Sequence, residues 1–350
     1  MKSAKKEKEW ISFLSVISCI AVIFMHVNSC FWDFNADPHS YWPSANIIES
    51  LFYFAVPVFF MISGATLVDY RKRYDTKTFF QKRMHKTVVP YVIWTFILLF
   101  YYAFVLKTIS VSDISIKMII RSLIYGNGIE GAYWYFPVLF SVYLSIPLFS
   151  AVPEEKRKSV FTYLAIGGFI LNSLIPFVFS LLNIDSGWPI TIGAIQGYLI
   201  FIVIGYLISH YDVKKSYRII IYILGIAGFI LHAGGTYYVS MRAGEILRTF
   251  KEYVNVPCIL YSTAIFLFIK QFYKRFKEPS FITWIVKHVK GYTFSIYLVH
   301  RPILQTVLSE FHLNTVLLSY RLIMPFIILA IGILFIWIIR KIPYGKVLLP

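Results

Sequence analysis

The sequence predicts an all-α, polytopic integral membrane protein with about ten transmembrane helices and both termini on the cytoplasmic side. Two observations predict this class: the composition, and the division of the chain into long apolar segments. Of 350 residues, 58% are hydrophobic and only 15% are charged, whereas a soluble domain has about 25% charged residues. Lipid rather than water is therefore expected to surround most of the chain.

Apolar segments of membrane-spanning length recur between charged or Pro- and Gly-containing breaks. A helix needs roughly 20 apolar residues to cross the hydrocarbon core, whereas the strands of a membrane barrel alternate over about ten residues. We expect residues 1–350 to form one membrane domain with no appended soluble domain. The predicted spans are residues 10–30, 47–68, 87–107, 133–151, 160–182, 191–209, 218–239, 254–270, 291–308 and 321–339.

The distribution of basic residues predicts the orientation. With a cytoplasmic N-terminus, the inner segments hold 26 of the 34 Lys and Arg residues, and the first outer loop, residues 31–46, holds none. This follows the positive-inside rule. The net charge of +17 is spread over alternate loops rather than along one stripe, so no nucleic-acid partner is expected. The three scattered cysteines have no metal-ligand spacing, and no metal is expected.

Ionisable residues at membrane depth indicate where function lies, because burying them in lipid is costly. His26 lies about 16 residues into the first span, roughly 24 Å along a helix, and therefore in the outer half of the bilayer. In the ninth span, Tyr297, His300 and Arg301 form a polar tip at the same depth, so the two histidines could share one cavity. The alternatives are a histidine bonded to a neighbouring helix and an arginine that anchors at the interface.

Two further features are candidates for the same site. Glu49 opens the second span and is the only acidic residue close to the core of any predicted span, although a headgroup-level carboxylate is the alternative. Arg71, Lys72 and Arg73 follow the second span on the cytoplasmic side. Arginine binds phosphate bidentately, so this turn could hold a nucleotide-like donor, but positive-inside charge alone would also produce it.

These pieces resemble acyltransferase family 3 over nearly the whole chain. The resemblance rests on CIAVIFMH, which ends at His26, on VPVFFMISG at residues 56–64, and on the Arg-x-Arg turn. It continues with the aromatic YWY at residues 133–135, followed by Tyr143, Leu144 and Pro147, and ends with SIYLVH at residues 295–300. One departure is that the family usually has Arg or Lys about ten residues before the histidine, where this chain has Ser12 and Ser15.

The resemblance implies transfer of an acyl group, usually acetyl, from cytoplasmic acyl-CoA to a hydroxyl of an extracytoplasmic polysaccharide, peptidoglycan or lipid-linked sugar. It implies a multi-pass protein of the bacterial cytoplasmic membrane that uses acyl-CoA as donor substrate and has no bound cofactor. His26 would act as general base or form a transient acyl-histidine. The Arg71–Arg73 turn would hold the phosphates, and Ser15, Tyr297 and His300 are candidate oxyanion donors.

Aromatic residues suited to stacking on a sugar occur in the predicted outer segments, among them Trp32 and Trp134, although an interfacial aromatic belt would look the same. The departure at Ser15 leaves three interpretations open: Arg301 supplies the missing charge, the donor or reaction differs, or the chemistry is lost. A glycan or metabolite transporter and a non-catalytic membrane binding domain are therefore the alternatives. The sequence also leaves open whether a separate glycan-modifying partner protein receives the acyl chain.

Overall fold

The computed structural model describes residues 2–184, 187–275 and 280–350, and within them every regular element is helical. Apolar runs without strand-like alternation account for this, because a helix satisfies its backbone hydrogen bonds internally. The α-helices are α1 (Lys2–Val27), α2 (Trp42–Phe52), α3 (Ala55–Leu67), α4 (Thr76–Arg83), α5 (Val89–Phe100), α6 (Ile116–Tyr125), α7 (Tyr135–Ala151), α8 (Glu154–Gly168), α9 (Ile175–Leu181), α10 (Leu199–His210), α11 (Lys215–Ile230), α12 (Thr236–Ala243), α13 (Val256–Arg275), α14 (Ser280–Val289), α15 (Thr293–Phe311), α16 (Leu318–Ile339) and α17 (Gly345–Leu348).

The all-helical, membrane-spanning class is confirmed, whereas the count of ten spans is not. Eight helical segments of the described chain are long and apolar enough to cross a membrane. The two other predicted spans correspond to α10, which has only 12 residues, and to α15, which has 19 residues but carries Arg301 and Glu310. The sides on which the termini lie stay a prediction.

Short π-helical turns join several helices into longer spans. They occupy Met84–Val88, Tyr101–Val105, Phe169–Leu174 and Leu231–Gly235. The predicted second span is instead interrupted, because α2 ends at Phe52 and α3 begins at Ala55. Pro57 explains this break, since proline has no N–H and its ring clashes with the carbonyl four residues earlier.

Helix α1 lies at the centre of the bundle and packs against α3, α13, α15 and α16. Helices α3 and α10 cross closely, and glycines at the crossing remove the side chains that would hold the backbones apart. A Cβ on Gly64 would lie 2.1 Å from Ile202 O, and one on Gly205 would lie 2.1 Å from Met61 O. Small residues at helix contacts are typical of membrane bundles. This packing fixes α3 against α10.

Candidate active site

His26 and His300, from α1 and α15, meet at one end of the bundle. Their imidazole centroids are 5.0 Å apart. Nδ1 of His300 lies 3.1 Å from Ile296 O and 2.9 Å from Tyr297 O, and it must carry a hydrogen because a carbonyl oxygen only accepts. In the neutral ring Nε2 is then an acceptor, and no described protein group hydrogen-bonds to it. The two histidines are thus adjacent, as the prediction of a shared cavity requires, but only His26 of the two lines the cavity.

A cavity of about 340 Å³ opens beside His26. Within the part of the chain that the structure describes, neither ring nitrogen of His26 hydrogen-bonds to protein, so the imidazole can receive a hydrogen bond from a ligand. Glu49, Trp134 and Tyr297, which the sequence also singled out, line the same cavity. Four of the predicted site residues are therefore brought together.

Aromatic rings form much of the cavity wall. Tyr253 stacks on Tyr53 with centroids 4.2 Å apart and on Trp134 at 5.6 Å. Tyr198 lies 6.0 Å from Trp134. Trp134, just before α7, is one of the aromatic residues that the sequence indicated as candidates for stacking on a sugar.

Glu49 belongs to a buried polar chain that ties three helices together. It is 3% exposed, and the side chain of Asn28 lies beside its carboxylate. Asn28 Oδ1 accepts from the Arg321 guanidinium at 3.4 Å, and Arg321 also donates to Ser44 Oγ at 2.8 Å. These contacts join the end of α1 to the starts of α2 and α16 and hold His26 near Glu49. Asn28 and Arg321 were missed because polar residues at predicted span ends are expected in water.

Arg301 has an acidic partner that sequence reasoning did not identify. Its Nε lies 3.2 Å from Oε1 of Glu130, which is 1% side-chain exposed. Glu130 also accepts from the backbone N–H of Ala132 at 3.0 Å and from the Tyr102 hydroxyl at 2.5 Å. Glu49 is thus not the only acidic residue buried in the bundle. Glu130 therefore partly balances the charge that Arg301 presents to His26.

Ser15, predicted as an oxyanion candidate, does not line the cavity. It lies about three helical turns before His26, roughly 16 Å along α1. Its hydroxyl instead donates to Thr293 Oγ1 at 3.3 Å. The geometry of this helix therefore separates Ser15 from His26.

The Arg71–Arg73 turn lies at the far end of α3 from the cavity, about 20 Å along a 13-residue helix. Arg73 donates to Thr66 O at 2.8 Å, a carbonyl in the last turn of α3, and Lys72 pairs with Glu154 at 2.6 Å. Arg71 is exposed, and among the described residues its guanidinium forms no hydrogen bond or ion pair and lies 5.5 Å from the ring centroid of Tyr70. Of the three predicted phosphate ligands, Arg71 is the one whose donors are free.

Lys251 is a buried residue beside the cavity that the sequence did not indicate. It lies between α12 and α13, is 0% exposed, and donates to Ser50 Oγ at 2.9 Å. Its ammonium lies 4.6 Å from the ring centroid of Phe31 and 5.3 Å from that of Tyr53. Burial lowers the pKa of Lys251, an effect that the Glu49 carboxylate opposes. No local sequence signal predicts the burial of Lys251, because a lysine between two spans is normally solvated.

His232 is a second residue that sequence reasoning missed. It is 0% exposed and its ring centroid lies 4.7 Å from that of Tyr53. An isolated histidine within the apolar run that begins at α11 was the signal that could have found it.

The helical bundle and its buried polar cavity define a multi-pass integral membrane protein with a site at one end of the membrane domain. A family model described as an acyltransferase domain matches residues 8–340, and the chain belongs to this family, acyltransferase family 3. The family indicates that the protein is an acyltransferase. No curated protein and no solved structure matches the chain.

Proposed function

We propose that the protein transfers an acyl group, most simply acetyl, from acyl-CoA on the cytoplasmic side to a hydroxyl of an extracytoplasmic sugar. The observation that carries the proposal is a histidine with free ring nitrogens at the wall of an aromatic cavity, in a chain that belongs to an acyltransferase family. Acyl transfer needs a base beside the attacking hydroxyl, and His26 is suited to this role.

In the proposed reaction His26 accepts the proton of the sugar hydroxyl as its oxygen attacks the thioester carbonyl. The new C–O bond forms, the tetrahedral intermediate collapses, and the C–S bond breaks. The proton held by His26 then passes to the departing CoA thiolate, so that the products are an ester and CoA thiol. General-base assistance of this kind contributes about 10²- to 10⁴-fold in rate.

The neighbours of His26 support this role. The Tyr297 hydroxyl already donates to Ala132 O at 2.6 Å, so its hydrogen is engaged and it is better suited to shaping the cavity than to binding an oxyanion. Glu49 lies on the same cavity and adds a carboxyl group to its wall. His300 lies behind His26 and fixes one side of its ring.

The donor is proposed to bind at the other end of α3. The exposed Arg71 guanidinium is suited to a CoA phosphate, and the extended pantetheine arm would pass between helices towards His26. This arrangement leaves the acceptor to approach the cavity from the opposite side of the membrane.

The test is turnover of radiolabelled acetyl-CoA by the purified protein in liposomes, with and without glycan acceptors. We expect His26→Ala to abolish release of label from CoA, while His39→Ala, which changes an exposed histidine of the outer loop, retains it. Equal turnover by wild type and His26→Ala would contradict the role of His26. Absence of turnover in the wild type with every acceptor would favour the transporter or binding alternatives.

A further inference from the structure

The segment of residues 244–255, between α12 and α13, forms one wall of the cavity. Three of its side chains, Arg248, Glu252 and Tyr253, line the cavity together with Trp32 and His26. The segment has no regular secondary structure, so its shape depends on contacts with its surroundings.

Buried contacts hold this wall in place. The backbone N–H of Lys251 donates to Arg248 O at 2.8 Å, and the Lys251 ammonium is itself anchored to Ser50 Oγ in α2. Asn255 Nδ2 donates to Thr249 O at 2.6 Å. Arg248 and Glu252 therefore project from a fixed backbone, which is what a specific binding surface requires.

Arg248 and Glu252 form an ion pair that stability does not explain. Arg248 Nε lies 2.9 Å from Glu252 Oε1, and the two side chains are 51% and 46% exposed. A pair this exposed contributes only about 0 to 1 kcal/mol to folding. The guanidinium also lies 5.8 Å from the ring centroid of Trp32, a tryptophan that is 48% exposed. An indole face thus lies next to fixed donors and acceptors.

We propose that Arg248, Glu252 and Trp32 form the acceptor subsite and that it binds an uncharged pyranose ring. This inference rests on the proposed function, whose acceptor it specifies. Neighbouring ring hydroxyls can each donate to a carboxylate and accept from a guanidinium, and the apolar face of the ring can pack on the indole. An anionic sugar is disfavoured because Glu252 already neutralises Arg248 and would repel a second carboxylate.

The position of the subsite fits the reaction. Arg248 and Glu252 share the cavity with His26, so a ring held between them and Trp32 presents another hydroxyl to the imidazole. The subsite would thereby determine which sugars are acylated without taking part in proton transfer.

The test measures sugar binding separately from catalysis. Quenching of tryptophan fluorescence is followed in the full-length protein in nanodiscs, with methyl glucoside, galactoside and mannoside and with the matching hexuronates. We expect the wild type to bind at least one neutral glycoside more tightly than its uronate. Glu252→Gln leaves the guanidinium unpaired and should reverse this preference, with the affinity ratio changing at least about tenfold. Arg248→Gln should weaken binding of both sugars.

Matched controls lie just outside the cavity. Arg242→Gln changes an exposed residue just before the segment, and Glu245→Gln changes an exposed residue at its start; neither lines the cavity, and both should leave the preference unaltered. A wild type that binds no neutral glycoside, or that prefers uronates, would overturn the inference, as would an unchanged preference in Glu252→Gln.

Acetyl-CoA hydrolysis without sugar separates this inference from the proposed function. It should depend on His26 and be unchanged in the control variants Arg242→Gln and Glu245→Gln, whose side chains do not line the cavity. Sugar binding of the expected pattern without His26-dependent turnover would refute the acyltransferase mechanism and leave the subsite standing.

Discussion

The imidazole rings of His26 and His300 lie with their centroids 5.0 Å apart, although they come from the first and the fifteenth helix. Of the two histidines, only His26 lines the cavity. His300 is 1% exposed, and its Nδ1 hydrogen-bonds to backbone carbonyls of its own helix. We therefore assign His300 as a residue that positions His26. Its Nε2 is the nitrogen that can accept a hydrogen bond within the bundle.

His300→Phe keeps a ring in this position but removes both nitrogens. We expect kcat to fall at least about tenfold, equivalent to about 1.4 kcal/mol of barrier, while KM for acetyl-CoA is unchanged. The pH–rate profile should also shift, because the environment of His26 changes. Steady-state kinetics across pH test this, with His288→Phe, an exposed histidine in α14, as control. An unchanged pH profile with a lower thermal stability would assign His300 a structural role alone.

The class of fold and the central histidine could be predicted from the sequence because both depend on local patterns. Apolar runs of about 20 residues set the helices, and a polar residue within such a run, such as His26, stands out. The same reasoning found Glu49, since α2 carries it into the bundle. The break before α3 could also have been read from Pro57.

Residues outside the apolar runs could not be assigned in this way. Lys251 and Glu130 lie in connecting segments, where local rules expect solvation, and their burial depends on contacts with α2 and α15 that are distant in sequence. The partner of Arg301 was missed for that reason. Conversely, Ser15 was linked to His26 by motif spacing, whereas the rise of α1 separates the two residues.

Glu130→Gln tests the buried ion pair with Arg301. The variant removes the charge that balances a guanidinium that is 26% side-chain exposed, and hydrogen bonds to charged groups contribute about 1.5 to 3 kcal/mol. We expect a loss of stability near the lower end of that range, because Arg301 retains some access to water. Thermal unfolding in detergent measures the loss. Adding Arg301→Gln should recover part of it, and a double variant less stable than Glu130→Gln would contradict this account.

Gly205→Ala tests the close crossing of α3 and α10. The added methyl group would lie 2.1 Å from Met61 O, so the helices must separate, and overpacking of this kind costs about 1 to 3 kcal/mol. We expect a lower midpoint of thermal unfolding and reduced activity, because α3 positions one side of the cavity. Gly234→Ala is the control, since a Cβ there meets nothing within 4 Å. Equal effects of Gly205→Ala and Gly234→Ala would show that the close crossing of α3 and α10 does not cause the loss of stability and activity.

Arg71→Ala and Arg73→Ala should differ, although both change an arginine of the same turn. Arg71 has free donors, so its loss should raise the Kd for acetyl-CoA about 10- to 100-fold, as expected for 1.5 to 3 kcal/mol of charge-assisted hydrogen bonding, without changing stability. Arg73 binds the α3 carbonyl of Thr66, so its loss should also lower the unfolding midpoint. Isothermal titration calorimetry and thermal unfolding separate the two effects. Lys77→Ala, an exposed lysine nearby, should change neither. A Kd raised equally by Lys77→Ala and Arg71→Ala would indicate general charge attraction rather than a phosphate site at Arg71.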